Sequence, residues 1–149
     1  LDAVGGWNRL YGPAGMLQFQ AAFPDEGARA AVEVTLERAR GAGYPPLLAV
    51  LKRLGGEGAG LLSFPLRGWT LALDFEHTPG SVALVRELGR MALDFGGRIY
   101  LAKDAVAGAD EVARMYPALP RFREIVRRVD PDGLFRSSLS RRLGLLEGG

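Results

Sequence analysis

Gly96-Gly97-Arg98-Ile99-Tyr100-Leu101-Ala102-Lys103-Asp104 is the stretch on which the fold turns. The glycine pair ends a helix. Alternating apolar residues then predict a strand over 98–103 that runs into a lysine. A lysine at the end of a buried-looking strand is oddly placed unless an anion waits there. Lys103 is therefore the residue expected to carry chemistry.

Working back from this strand, 81–95 reads as a helix. Thr78-Pro79-Gly80 opens it, and Val85, Leu88, Ala92 and Phe95 recur at helical spacing. Residues 68–76 form a strand with Thr70, Ala72 and Asp74 on one face and Leu71, Leu73 and Phe75 on the other. Residues 46–54 form the strand before it, antiparallel to it and carrying Lys52. The glycine-rich loop between them, 55–60, matches neither GxGxxG nor the P-loop pattern and is expected to be a mobile flap. Residues 16–23 are the first strand. Leu17, Phe19 and Ala21 face one way, and Met16, Gln18, Gln20 and Ala22 the other. Pro24-Asp25 stops it and starts a helix that runs to about Arg40. Ala28, Ala31, Val32, Thr35, Leu36 and Ala39 make that helix's apolar stripe. Residues 1–15 are rich in Gly and Pro and read as a lead-in loop, as if the domain continued something longer.

The order is β-α-β-β-α-β. With right-handed crossovers it predicts an α+β, ferredoxin-like antiparallel sheet with both helices on one face. Downstream, 108–116 and 120–129 predict two short helices. Phe122, Ile125, Val126 and Val129 stripe the second. A turn over 130–135 and an Arg-rich end complete a helical C-terminal extension. Phe135, Leu143, Leu145 and Leu146 find no obvious partner in so small a domain.

The bulk composition is that of a soluble globular chain: 149 residues, 48% hydrophobic and 24% charged. Without cysteine there is no disulfide, thiolate metal site or Cys nucleophile. The single histidine, His77, falls in a turn and excludes zinc sites built on several His. Net charge is only +2, too weak for a nucleic-acid tail, and the bias sits late: residues 101–149 hold nine Lys/Arg against seven Asp/Glu. Scarce amides, no Cys and abundant Arg suggest a heat-adapted source, although GC-rich coding gives the same bias. No apolar run approaches a bilayer span and nothing directs export, so a cytoplasmic location is expected.

The helices cover one sheet face and leave the other for a ligand, a domain or an oligomer. Each residue there has a plain reading as solvated surface. All four strands nevertheless offer a polar side. Gln18 and Gln20, Lys52, Thr70 and Lys103, with Tyr100 beside it, would make a hydrogen-bonding, cationic floor. It suits a hydroxylated or anionic small molecule or an electron-rich cofactor ring. No paired carboxylates stand at acid/base spacing.

The blocks Trp7-Asn8-Arg9-Leu10-Tyr11-Gly12, Leu17-Gln18-Phe19-Gln20, Leu48-Ala49-Val50-Leu51-Lys52, Leu62-Ser63-Phe64-Pro65, Gly68-Trp69, Asp74-Phe75, Phe95 through Asp104, Met115-Tyr116-Pro117 and Arg127-Arg128-Val129-Asp130-Pro131 resemble, in order, the C-terminal part of FAD-linked oxidases of the vanillyl-alcohol-oxidase type. Aldonolactone oxidases are wider relatives. The resemblance covers nearly the whole chain. It implies that residues 1–97 are the end of a substrate-binding cap, and that 98–149 supply the last sheet strand and a segment returning to a flavin domain. The chain carries neither that domain's phosphate-cradling loops nor the histidine that some relatives link to flavin. The resemblance makes Lys103 the catalytic cation, makes Tyr100 and Lys103 the FAD contacts, and makes Gln18, Gln20, Lys52, Thr70 and Ala72 substrate-pocket positions. Thr70 stands where the members most like this chain have Asn, and Ala72 where they have a pocket Cys, which leaves the substrate open.

Two readings result. One is the capping part of an FAD-dependent oxidoreductase acting on a sugar alcohol or lactol, inert without a flavin-bearing partner. The other is a stand-alone ferredoxin-like module that binds a ligand or oligomerises through its open face. An RNA-recognition module is disfavoured, because Gly68-Trp69-Thr70-Leu71 lacks the basic-Gly-aromatic opening.

Overall fold

The computed structural model describes residues 5, 6, 9 and 12–146. Positions 1–4, 7, 8, 10 and 11 of the expected lead-in loop lie outside the described residues, as do 147–149. Four strands form one sheet in the order β2-β3-β1-β4: β1 Met16–Pro24, β2 Leu48–Leu54, β3 Gly68–Glu76 and β4 Arg98–Ile99. All the pairings are antiparallel. The expected α+β sheet is the one formed.

Period-two alternation sets the two faces. Leu17, Phe19, Ala21 and Phe23 of β1 and Leu71, Leu73 and Phe75 of β3 are buried in the core. Helices α1 (Ala28–Gly41) and α2 (Pro79–Asp94) supply the other side of it. From α1 come Ala28, Ala31 and Ala39, with Val32 and Leu36 half-buried against them. Leu84, Val85, Leu88 and Ala92 of α2 complete the layer, with Phe95, just past its end, half-buried. Thr78 caps α2 by accepting the Ser81 amide, while the Ser81 hydroxyl takes the Thr78 N–H in return. Gly97 is obligatory behind this helix, since a Cβ there would lie 2.6 Å from the Ala22 carbonyl oxygen.

The extension forms α3 (Ala109–Met115), α4 (Leu119–Val129) and α5 (Ser138–Arg142). The first two match the expected helices to within a residue. Sequence reading missed α5, although Ser137 and Ser140 form a reciprocal cap at its start. Leu143 finds its place in the core and Leu145 against it, whereas Phe135 remains 82% exposed.

One expectation needs correction. The fourth strand does not run over 98–103. It ends at Ile99, and Leu101–Lys103 turn into a 3-10 helix, with the Lys103 and Asp104 amides bonded back to the Tyr100 and Leu101 carbonyls. On the strand's outer edge Met115 Sδ accepts the Ile99 N–H and the Tyr116 hydroxyl donates to the Ile99 carbonyl at 2.5 Å. Side chains of the extension thus satisfy the backbone groups that a fifth strand would have used. The glycine-rich stretch 55–60 is exposed throughout, and Arg98 donates to Glu57 within it and to the Ser63 carbonyl beyond it, where Phe64 stacks on Tyr100 with centroids 4.5 Å apart.

Candidate functional site

The open face is built from the residues that alternate away from the helices. The register sets Gln18 opposite Asp74, Gln20 opposite Ala72, and on the far side Lys52 opposite Thr70. Three strands therefore bring Gln18, Gln20, Lys52, Thr70 and Ala72 to one surface, as the alternation predicted. The two glutamines are not loose solvated groups. Gln18 Nε2 donates to Asp74, and Gln20 Nε2 donates to Thr70 Oγ1 at 3.1 Å. Thr70 donates in turn to the Ala21 carbonyl. Both Asp74 and Thr70 are buried. These bonds fix the two amides side by side and leave their oxygens as acceptors. Asp74 was placed on the polar face by its sequence but not recognised as a holder of Gln18.

Lys103 reaches this region by a route that strand periodicity does not describe. Continuing the Ala21↔Ile99 register would have set Lys103 against the buried Leu17, on the face that the helices cover. The 3-10 turn leaves it exposed instead. Because β4 is two residues long, the edge of β1 around Gln18 and Gln20 has no strand beside it. Tyr100 adds one more rung, its N–H donating to the Gln20 carbonyl at 2.8 Å. A small recess of about 10 Å³ opens there at the strand edge, lined by Gln18, Gln20, Tyr100 and Lys103 and, from the helix side, by Val85, Arg86 and Gly89 of α2 and Glu111 and Met115 of α3. Lys52, at the other side of the sheet, does not border it.

Behind Lys103, the Asp104 carboxylate is turned inward and its side chain is 5% exposed. Oδ1 accepts the amides of Val106 and Ala107, and Oδ2 accepts Arg142 at 2.7 Å. Beneath β4, burial pushes the Tyr116 hydroxyl above its ordinary pKa, against the opposing pull of Arg98. Neither Asp104 nor Arg98 was singled out by its sequence as part of the site. Their signal was long-range pairing, which local pattern does not carry.

No protein-family model matches the chain. Over 146 residues, 98% of its length, it is 42% identical to decaprenylphosphoryl-β-D-ribose oxidase of Mycolicibacterium smegmatis. The chain is a relative of that oxidase. It spans about a third of the relative's length (32%). The family resemblance read from the sequence is therefore borne out, and the match is consistent with the C-terminal portion of an FAD-linked oxidase. A second relative, an uncharacterised protein in the mprA 5′ region of Streptomyces coelicolor, is 44% identical over 97 residues, covering 64% of this chain and 26% of that protein. Two thirds of the oxidase has no counterpart here, so the oxidase match leaves room for a separate flavin-binding part. No helix among the described residues is long and apolar enough to cross a membrane.

Proposed function

We propose that the chain is the substrate-capping, C-terminal portion of an FAD-dependent oxidoreductase that oxidises a sugar alcohol or lactol. The observation that carries the reading is the convergence of Gln18, Gln20, Tyr100 and Lys103 on one recess beside an open sheet face, in a relative of an oxidase. The donor set fits a flavin. It offers an exposed cation, an aromatic ring and fixed amide oxygens, and no competing metal set of three or more His, Cys, Asp or Glu occurs among the described residues. Residues 1–97 would be the end of the cap, and 98–149 the last strand and the segment that returns to a flavin domain.

When bound, FAD supplies the hydride acceptor that takes an alcohol to a ketone or a lactol to a lactone. Lys103 is the catalytic cation, set where its ammonium can stabilise developing negative charge. Tyr100, held by Phe64, forms a wall of the cofactor site. Gln18 and Gln20 orient substrate hydroxyls. Thr70 keeps Gln20 in place, Ala72 leaves room beneath the substrate, and Lys52 draws anionic parts of it to the far side of the face.

The test is to join the chain to the flavin-bearing part of the Mycolicibacterium relative and follow the flavin spectrum. Retained FAD and bleaching by a sugar alcohol are expected, with bleaching lost in Lys103→Gln. The chain alone should show no turnover, and steady turnover by it would refute the division of labour. Failure to retain flavin would favour the second reading, a stand-alone ligand-binding or self-associating module. A specific observation keeps that reading in view: the described sheet closes a core of its own, while Leu48 and Leu51 on edge strand β2 stay exposed.

A further inference from the structure

We infer that Arg142 and Asp104 are a positioning pair for Lys103, so that α5 sets the approach of the lysine to the recess. The inference rests on the reading of Lys103 as the functional cation, and it concerns what holds that residue. Lys103 ends a turn of three residues, too short to fix itself. The next residue supplies the anchor. The Asp104 carboxylate closes the 104–107 loop by accepting two of its amides. One guanidinium then gathers three oxygens of that loop: Arg142 Nη1 donates to Asp104 Oδ2 at 2.7 Å and to the Ala107 carbonyl at 2.6 Å, and Nη2 donates to the Asp104 carbonyl at 3.2 Å. A rigid planar fork holds such an array at less entropic cost than a lysine ammonium on its flexible stem. Arg123 fastens the chain just past the same end of α5 by donating to the Gly144 carbonyl. The C-terminal helix is thereby tied to the residue that follows Lys103 in the chain.

The sequence contains two lysines, Lys52 and Lys103, which gives the test an internal control. In Arg142→Gln, the amides of Lys103, Val106 and Ala107 should exchange with solvent about tenfold faster while those of Leu71 and Leu73 keep their rates. Unchanged rates at 103–107, or acceleration throughout the sheet, would overturn the pair's specific role. The side-chain methylene NMR signals of the two lysines supply the second measurement. In Arg142→Gln the Lys103 signals should move while those of Lys52 stay in place. Arg142→Lys should leave the Lys103 signals displaced, because it does not rebuild the three-oxygen contact. Lys103 signals indifferent to Arg142, or ones that move together with those of Lys52, would overturn the inference. Neither measurement uses flavin, so a joined protein that retains no FAD, while the isolated chain responds in this way, refutes the flavin reading alone.

Discussion

Lys52 and Lys103 sit in two kinds of structure. Lys52 belongs to a regular strand of seven residues, where alternation alone decides which face it takes. Lys103 belongs to a segment that leaves its strand after two residues. Its direction depends on groups far along the chain: Tyr116 on Ile99, and Arg142 on Asp104. In the first region, position follows from periodicity and an unbroken backbone register with β3. In the second it follows from a few polar bonds, each with one specific partner. The first should tolerate any surface change and no core change; the second should be sensitive to single polar atoms.

The largest expected loss lies in the strand that β2 pairs with. Leu73, fully buried in β3 beside β2, should cost about 2–5 kcal/mol on Leu73→Ala in urea unfolding. Asp104→Ala removes the acceptor of three donors and should cost about 2–3 kcal/mol. An Asp104→Ala protein as stable as the parent would erase the distinction between the regions. Tyr116→Phe should cost about 1 kcal/mol by losing the bond to Ile99. It should also change the alkaline limb. The folded hydroxyl titrates above the ordinary value of 10.0, so its contribution is complete below that pH and lost as pH rises beyond it. The parent should weaken above pH 10 more steeply than the variant. At the acid end, Arg38 holds the Glu87 carboxyl below its usual pKa by hydrogen bonding, so that contribution is present above the glutamate range and fades as pH falls through it. The pair is exposed, and Glu87→Gln should flatten the acid limb only slightly. Smallest of all, Lys52→Ala should change stability by less than about 0.5 kcal/mol.

The same contrast explains what the sequence could tell. Gln18, Gln20, Thr70 and Ala72 were placed on one face correctly because β1 and β3 keep strict alternation over nine residues each. The end of β4 was misread because Arg98-Ile99-Tyr100-Leu101 alternates just as well, yet Met115 and Tyr116 meet Ile99 only after the chain has folded back. The contacts of Phe64 with Tyr100 and of Arg98 with Ser63 and Glu57 were not legible, because each pairs residues far apart in the chain. Helix α5 was legible in principle from Ser137 and Ser140, but five residues give periodicity nothing to work on.

The brevity of β4 has an evolutionary reading. The recess exists because a strand stops early, so its size is set by a count of residues more than by their identity. One or two residues inserted before Tyr100 could extend the ladder along β1 and seal the gap, whereas substitutions within the recess leave its size alone and change its chemistry. Relatives that share that chemistry should therefore keep Gln18, Gln20, Tyr100 and Lys103, and insertions and deletions between Gly97 and Asp104 should be rare.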